Sequence, residues 1–476
     1  MTRRHGSVVA RPRILVVLLA ATLATAGLVA CGGSDGGDDR PAADQAPCPV
    51  DALEGAKKPV RIRFWHQQVR ANADELKRQV ARFNGSQRDV RVELVAMPSY
   101  QESLNKYKSA LTSGSGDLPD VGVFSENDVQ TLLDSRSTVS MQSCVDRSRY
   151  SLDDFVPRTI SYYTVRGRLV SMPWIPSNPI LIFNAAAFRR AGLDPAKPPR
   201  TLDEVTRYSR RIVETGAAKH GIALQIAPYI PEFLYAKSGQ AYVNNGGGRK
   251  ARATRALLDN PTGRAIWGWW KRMVDSGLAM NTGAKEGGYD HLLAIGTGDA
   301  AMTIEGSGVL GPVTQVLEAG QYSATDLGTG PLPSLKGGGG VPVGDGSLWI
   351  TSKTSPAKQA AAWRFVRFLV EPPQIVGWMV AKSGYVPVRR SAAESPTVQE
   401  LWRRNPEYST AYLQLLAPGG PAADGSIIGD YQGVRDAVTD GMVAMLTGRK
   451  SMEKALADTE ALATSRIRAY NERVGG

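Results

Sequence analysis

The sequence predicts an α/β protein of two lobes built on mostly parallel sheets. Three observations predict it. From residue 60 onward, short apolar runs alternate with stretches of helical periodicity joined by short links. At 476 residues the chain is longer than the ~250–300 residues at which a single core stops growing. Midway, Pro173, Pro176 and Pro179 bracket Ser177 and Asn178 in a segment unsuited to a helix or a central strand, which reads as a crossing between lobes.

Val60, Ile62 and Phe64 alternate with Arg61 and Arg63, giving a first strand that runs into Trp65, His66, Gln67 and Gln68. Leu76, Val80 and Phe83 share one helical face, and Asn84 with Gly85 marks that helix's end. Residues 90–95 read as a second strand. Tyr100, Leu104, Tyr107 and Leu111 follow at helical spacing as far as Gly114 and Gly116, and residues 121–124 make a third strand. Ligands of such sheets lie beyond the strands' carboxyl ends, so loops 65–68 and 125–128 point at a cleft.

Past the crossing, residues 180–183 form an apolar run of the kind that fills a parallel sheet. Asn184 caps a helix over 185–191 that Gly192 closes, and Thr201 with Glu204 makes a capping box for a helix from Leu202. Helices carry most of 202–277, with Trp267, Trp269 and Trp270 read as core. Residues 331–340 form a loop and 347–350 a strand. Ser355-Pro356 then opens a helix whose Trp363, Val366 and Val370 share a stripe, and Glu371-Pro372-Pro373 stops it.

The formal charge is +12, four of the positives being Arg3, Arg4, Arg11 and Arg13. Lys and Arg are otherwise scattered and no reader motif accompanies them, which argues against nucleic acid as a partner. A basic head, the apolar residues 14–30 and small residues before Cys31 make an export signal over 1–30. An uncleaved anchor with a free Cys31 is the plainer alternative. Leu28-Val29-Ala30-Cys31 resembles the lipobox of bacterial lipoproteins, which implies lipid on Cys31 and a protein held at the outer face of the cell membrane. Arg3-Arg4 is a weak sign of twin-arginine export. Residues 32–49 are acidic and rich in Gly and Pro, a composition expected to stay disordered as a tether over 31–58. Cys48 and Cys144 then remain in an oxidising compartment and are expected to pair, two free thiols being the alternative.

The run from Gly306 to Gly311 fits GxGxxG after a strand over 301–305, but it sits deep in the chain and no strand leads to Asp326. That context rejects a dinucleotide site, while the exposed backbone N–H groups suit an anion or hydroxyls. HExxH, GxSxG and P-loop motifs are absent and the four His are dispersed, so no catalytic residue, metal or cofactor is expected. His66 and His291 read as hydrogen-bonders.

The strings MPW at 172–174 and SNPILIFNAAAFRRAGLDPAKPPRTLDE at 177–204 resemble the crossing segment of extracellular solute-binding proteins of ABC importers. FWH (64–66), LPDV (118–121), GDAAMTIEG (298–306), GSLWIT (346–351), AAWRFVRFLVEPP (361–373) and SGYVPVRR (383–390) agree, so the resemblance runs from residue 59 to the C-terminus. It is nearest the branch that binds glycerol 3-phosphate, glycerophosphodiesters or oligosaccharides. The resemblance implies a periplasmic-binding-protein-like fold of class II, a multi-strand hinge, a monomer, and delivery of a carbohydrate or polyol to permease subunits with a separate ATPase. It implies lobe I over 59–173 and 330–352, lobe II over 178–328 and 356–476, and crossings near 172–178, 326–331 and 351–355.

Carried over position by position, the implied ligand contacts are Tyr100, Glu126, Ser177, Gly306, Asp345, Tyr385 and Arg435, with Arg435 a candidate for a phosphate. Each has a plainer role open to it, such as core packing for Tyr100 or a helix start for Glu126. Where the glycerol 3-phosphate branch has Ser, this chain has Gly306 beside Ser307. Asp345 replaces the second Gly of a pair, and Tyr229 is the only platform where the branch has tryptophans. A carboxylate there repels phosphate, so a neutral or zwitterionic polyol is expected ahead of glycerol 3-phosphate. An exported carbohydrate-active enzyme, or a lipoprotein scaffold without a ligand, are the alternatives.

Overall fold

Hydrophobic alternation along the first segment is realised as burial of Val60, Ile62 and Phe64 against exposed Arg61. The computed structural model describes residues 45–285, 288–318 and 326–475. Among them the strands are β1 (Val60–His66), β2 (Val90–Ala96), β3 (Val121–Ser125), the short hairpin β4 (Thr164–Val165) and β5 (Arg168–Leu169), β6 (Met172–Ser177) and β7 (Pro179–Asn184). There follow β8 (His220–Leu224), β9 (Ala279–Asn281), β10 (Ala300–Gly306), β11 (Leu327–Pro331) and β12 (Gly344–Ile350).

One sheet has the order β2-β1-β3-β12-β6 and the other β11-β7-β10-β8-β9, each the base of a lobe. In the first, β1 runs parallel to β2 and β3 while β12 is antiparallel to β3 and β6. In the second, β8 is parallel to β9 and β10 while β7 is antiparallel to β10 and β11. Parallel and antiparallel pairings are therefore equal in number in each sheet, although four of its five strands share one direction. One strand in each sheet runs against the other four, β12 in the first and β7 in the second, and each is entered from a crossing.

The proline-rich segment is a strand after all. β6 occupies the edge of its sheet, where a missing N–H is tolerated, and the register slips beside it between Gly346 and Ser347. One residue, Asn178, then separates it from β7 in the interior of the other sheet. Asn184 accepts from Ala187 N–H at 3.2 Å to cap the next helix, and the Thr201–Glu204 capping box forms as expected. The first helix, Arg70–Ser86, runs past Asn84 and Gly85, because the Asn84 side chain bonds both backbone groups of Val92 and holds the helix end against β2.

After the expected crossing at 351–355 the chain continues against the first sheet. The helix Pro356–Leu369 lies on β1 and β12, with Phe365 edge-on to Phe64 and Phe83 at 5.3 and 5.1 Å between ring centroids. Helix Pro372–Val380 packs on Arg70–Ser86, and Trp378 meets Trp174 of β6. Only beyond Pro396–Arg404 does the turn Pro406–Tyr408 reach β11, after which helix Thr410–Leu416 packs on β7 and β11. The aromatic stripe of Pro356–Leu369 decides this, since its partners Phe64 and Phe83 belong to the first lobe.

Gln414 ties the crossings together. Its Nε2 donates to Asn178 Oδ1 (2.7 Å) and Pro179 O (2.8 Å), and its Oε1 accepts from Leu332 N–H (2.7 Å) and Lys237 Nζ (2.8 Å). Trp267, Trp269 and Trp270 are core, as read, on a helix packed against Tyr431–Leu446 and Met452–Arg473.

Cys48 and Cys144 are disulfide-bonded and fully buried. Of the expected tether, residues 45–49 are fixed rather than loose: Gln45 donates to Thr138 Oγ1 at 2.8 Å and Ala46 pairs with Val139. The export signal, Cys31 and most of the tether lie outside the described residues.

Candidate ligand-binding cleft

β3, β6 and β10 end, and β12 begins, at one gap between the sheets, a cavity of about 320 Å³. At the end of β3, Ser125 N–H donates to Asp128 Oδ2 at 3.1 Å, fixing a turn that offers Glu126 to the gap. Glu126 Oε2 accepts from Ser125 Oγ at 2.6 Å and its Oε1 from Arg435 Nη2 at 2.8 Å. Burial, and after it the charge of Glu126, pushes the Asp128 carboxyl up to about 8.

Arg435 comes from helix Tyr431–Leu446 and lies over the Tyr431 ring at 5.0 Å. Its Nη2 and Nε also reach Glu232 Oε2, at 3.1 and 3.3 Å. The guanidinium edge suggested for a phosphate is thus held by two protein carboxylates. Burial works against the Arg435 charge, but Glu232 and Glu126 outweigh it and keep the group protonated. Burial likewise pushes the Glu232 carboxyl up, and Arg435 pulls it back.

Asp345, second in β12, has φ of 66°, a backbone state that Gly adopts freely. Burial pushes its carboxyl up to about 7 against the opposing hydrogen bond of Ser177. Gly308 allows the second lobe to approach here: a Cβ on it would lie 3.0 Å from Tyr385 Cε1 and 3.3 Å from Asp345 Oδ2. Tyr385 donates to Gln68 Oε1 at 3.3 Å. Across the gap, Tyr229 donates to Glu305 Oε1, while Glu305 Oε2 meets His291 Nε2 at 2.8 Å.

Glu126, Ser177, Tyr229, Gly306, Asp345, Tyr385 and Arg435 all line the cavity. Tyr100 stands just behind it, close enough to Gly346 that a Cβ there would lie 2.9 Å from its hydroxyl, and burial, then Asp345, push its phenol up. Ser307 is not brought to the surface of the gap. It is fully buried, and its backbone N–H donates to Asn178 O at 3.0 Å. His66 is buried at the end of β1, and burial pushes its imidazole down to about 4.

Glu232, Phe233 and Glu305 escaped sequence reasoning. Phe233 and Glu305 line the cavity, and Glu232 stands behind Arg435. A signal existed for Glu232: it is an acid inside YIPEFLYAK, a helix buried from Ile230 to Lys237, where an unpaired charge would be untenable.

The chain is 26% identical over 423 residues to the sn-glycerol-3-phosphate-binding periplasmic protein UgpB of Pectobacterium atrosepticum, covering 86% of this chain and 92% of that one. UgpB of Escherichia coli K12 is 25% identical over 416 residues, covering 85% and 92%. Among solved structures, UgpB from Mycobacterium tuberculosis in complex with glycerophosphocholine superposes with a TM-score of 0.70 at 19% identity, over 88% of this chain and 99% of that one. The cyclic alpha-maltosyl-1,6-maltose binding protein from Arthrobacter globiformis gives 0.68 at 22% identity, over 86% and 100%. These likenesses support the two-lobed, periplasmic-binding-protein-like fold. Residues 78–408 match the family described as bacterial extracellular solute-binding protein. With that match over a two-lobed body that encloses a polar cavity, the chain belongs to the bacterial extracellular solute-binding proteins, which bind ligands and are not enzymes.

Proposed function

We propose that this is the lipid-anchored, monomeric binding component of an ABC importer, which closes on a sugar or a glycerophosphodiester-type polyol and hands it to a membrane permease driven by a separate ATPase. The observation that carries the reading is the convergence of Glu126, Ser177, Tyr229, Asp345, Tyr385 and Arg435 on one cavity. Carboxylates accept hydrogen bonds from neighbouring hydroxyls, and Tyr229, Phe233 and Tyr385 offer apolar faces to a ring or chain. Three carboxyl groups, Glu126, Glu305 and Asp345, and one guanidinium line that wall, which favours a neutral or zwitterionic ligand over glycerol 3-phosphate.

We assign residues 59–177 and 344–405 to the first lobe and 178–331 with 410–475 to the second, a division supported by the packing of Pro356–Leu369 on β1. The lipobox-like run before Cys31 supports anchoring at the outer face of the cell membrane. Thermal melts of the soluble body against maltose, glycerophosphocholine and glycerol 3-phosphate test the reading. A binder melts higher with its ligand, whereas a scaffold shows no shift with any of them.

A further inference from the structure

Arg435 is the one cation that lines the cavity among the described residues, and Glu232 stands beside it on the protein side. We propose that Glu232 is a specificity-determining residue that withdraws Arg435 from anion recognition, so that the cleft refuses phosphate monoesters while accepting uncharged or zwitterionic polyols. The inference rests on the reading of the cleft as a polyol site.

Geometry comes first. A guanidinium grips an oxyanion best along an edge carrying two parallel N–H groups. Here the Nε/Nη2 edge is taken: both atoms reach Glu232 Oε2, at 3.3 and 3.1 Å, and Nη2 also donates to Glu126 Oε1 at 2.8 Å. To take a two-point grip an incoming phosphate would have to displace a carboxylate that has no exit. Glu232 is 4% exposed in a helix buried along its length, and the Tyr431 hydroxyl donates to its other oxygen.

Charge points the same way. Two carboxylates surround a single guanidinium, so with both ionised the group carries one net negative charge before any ligand arrives. Glu305 and Asp345 add acceptors elsewhere in the wall. A phosphate monoester, close to doubly charged at neutral pH, meets repulsion without a free fork, whereas a hydroxyl can donate to these oxygens. Glu126 alone would have balanced Arg435; the second carboxylate tips the sign.

A purely structural ion pair would predict only lost stability on mutation, whereas this role predicts a gained ligand. Calorimetry is run on wild type and Glu232→Gln with inorganic phosphate, sn-glycerol 3-phosphate and glycerophosphocholine. Glu232→Met replaces the glutamine variant if that one melts below the working temperature. The expected result is a preference for glycerol 3-phosphate over glycerophosphocholine that rises at least about tenfold in the variant. Tight phosphate-monoester binding by the wild type overturns the proposal whatever the variants do. A folded variant that binds glycerophosphocholine yet gains nothing for phosphate overturns it too, leaving the polyol reading intact. If the wild type binds no member of a wider sugar and polyol panel, the reading and the inference fall together.

Discussion

The Arg435 guanidinium donates to Glu126 at 2.8 Å, joining a helix of the second lobe to the turn that ends β3 in the first. The same contact that walls the cavity therefore joins elements of the two lobes. Arg435→Ala strips the counter-charge from two buried carboxylates, so it is expected to cost about 3–5 kcal/mol of stability as well as ligand affinity. Urea denaturation beside calorimetry checks this. Unchanged stability would mean that Glu126 and Glu232 find another partner or take up protons.

Asp345 gives the cleft a pH dependence. Its folded pKa is raised to about 7, so the native state holds a proton that the unfolded chain releases near its ordinary value of 3.8. Stability from this group is complete below that ordinary value and is lost as pH rises through about 7; Asp128, raised to about 8, acts in the same direction. Melting temperature of the ligand-free protein should fall between about pH 4 and 8, and less steeply below about pH 7 in Asp345→Asn. Ligand hydroxyls that donate to the ionised carboxylate reverse the trend for binding, so affinity should rise across the same interval. An equal slope in wild type and variant would remove Asp345 from the account.

Gln414 is the joint of the hinge. Gln414→Leu abandons the buried Leu332 N–H, the Asn178 side chain, Pro179 O and the Lys237 ammonium, whose pKa burial already lowers to about 8. A loss of about 2–4 kcal/mol is expected, and scattering should show a wider spread of lobe separations than in wild type. A variant as stable and as narrowly distributed as wild type contradicts that role.

The Cys48–Cys144 bond spans 96 residues of sequence and fastens the segment ahead of β1 to the first lobe. Reduction or Cys48→Ser should lower stability by about 2–4 kcal/mol. Thiol titration of the unreduced body should find no reactive group; a titrating Cys48 or Cys144 would refute the pairing.

Local signals were legible and long-range ones were not. The Asn184 cap, the Thr201–Glu204 box and the stripe of Trp363 and Val366 each depend on neighbours within a turn or two, so the sequence displays them. The antiparallel course of β12 depends on strands far away in the chain, as does the fact that Phe365 seeks Phe64. The same holds at the site. Only the resemblance points to Glu126, Ser177 and Asp345, which the fold brings to one cavity. Glu232 and Glu305 were missed because their meaning comes from Arg435 and His291, which no spacing links to them.

The most direct test is calorimetric titration of the mature body with maltose, glycerophosphocholine and sn-glycerol 3-phosphate under one buffer. A cleft walled by Glu126, Asp345 and an already engaged Arg435 predicts measurable affinity for a neutral or zwitterionic compound and little for the phosphate monoester. Tight binding of sn-glycerol 3-phosphate, with no heat from the others, would contradict it.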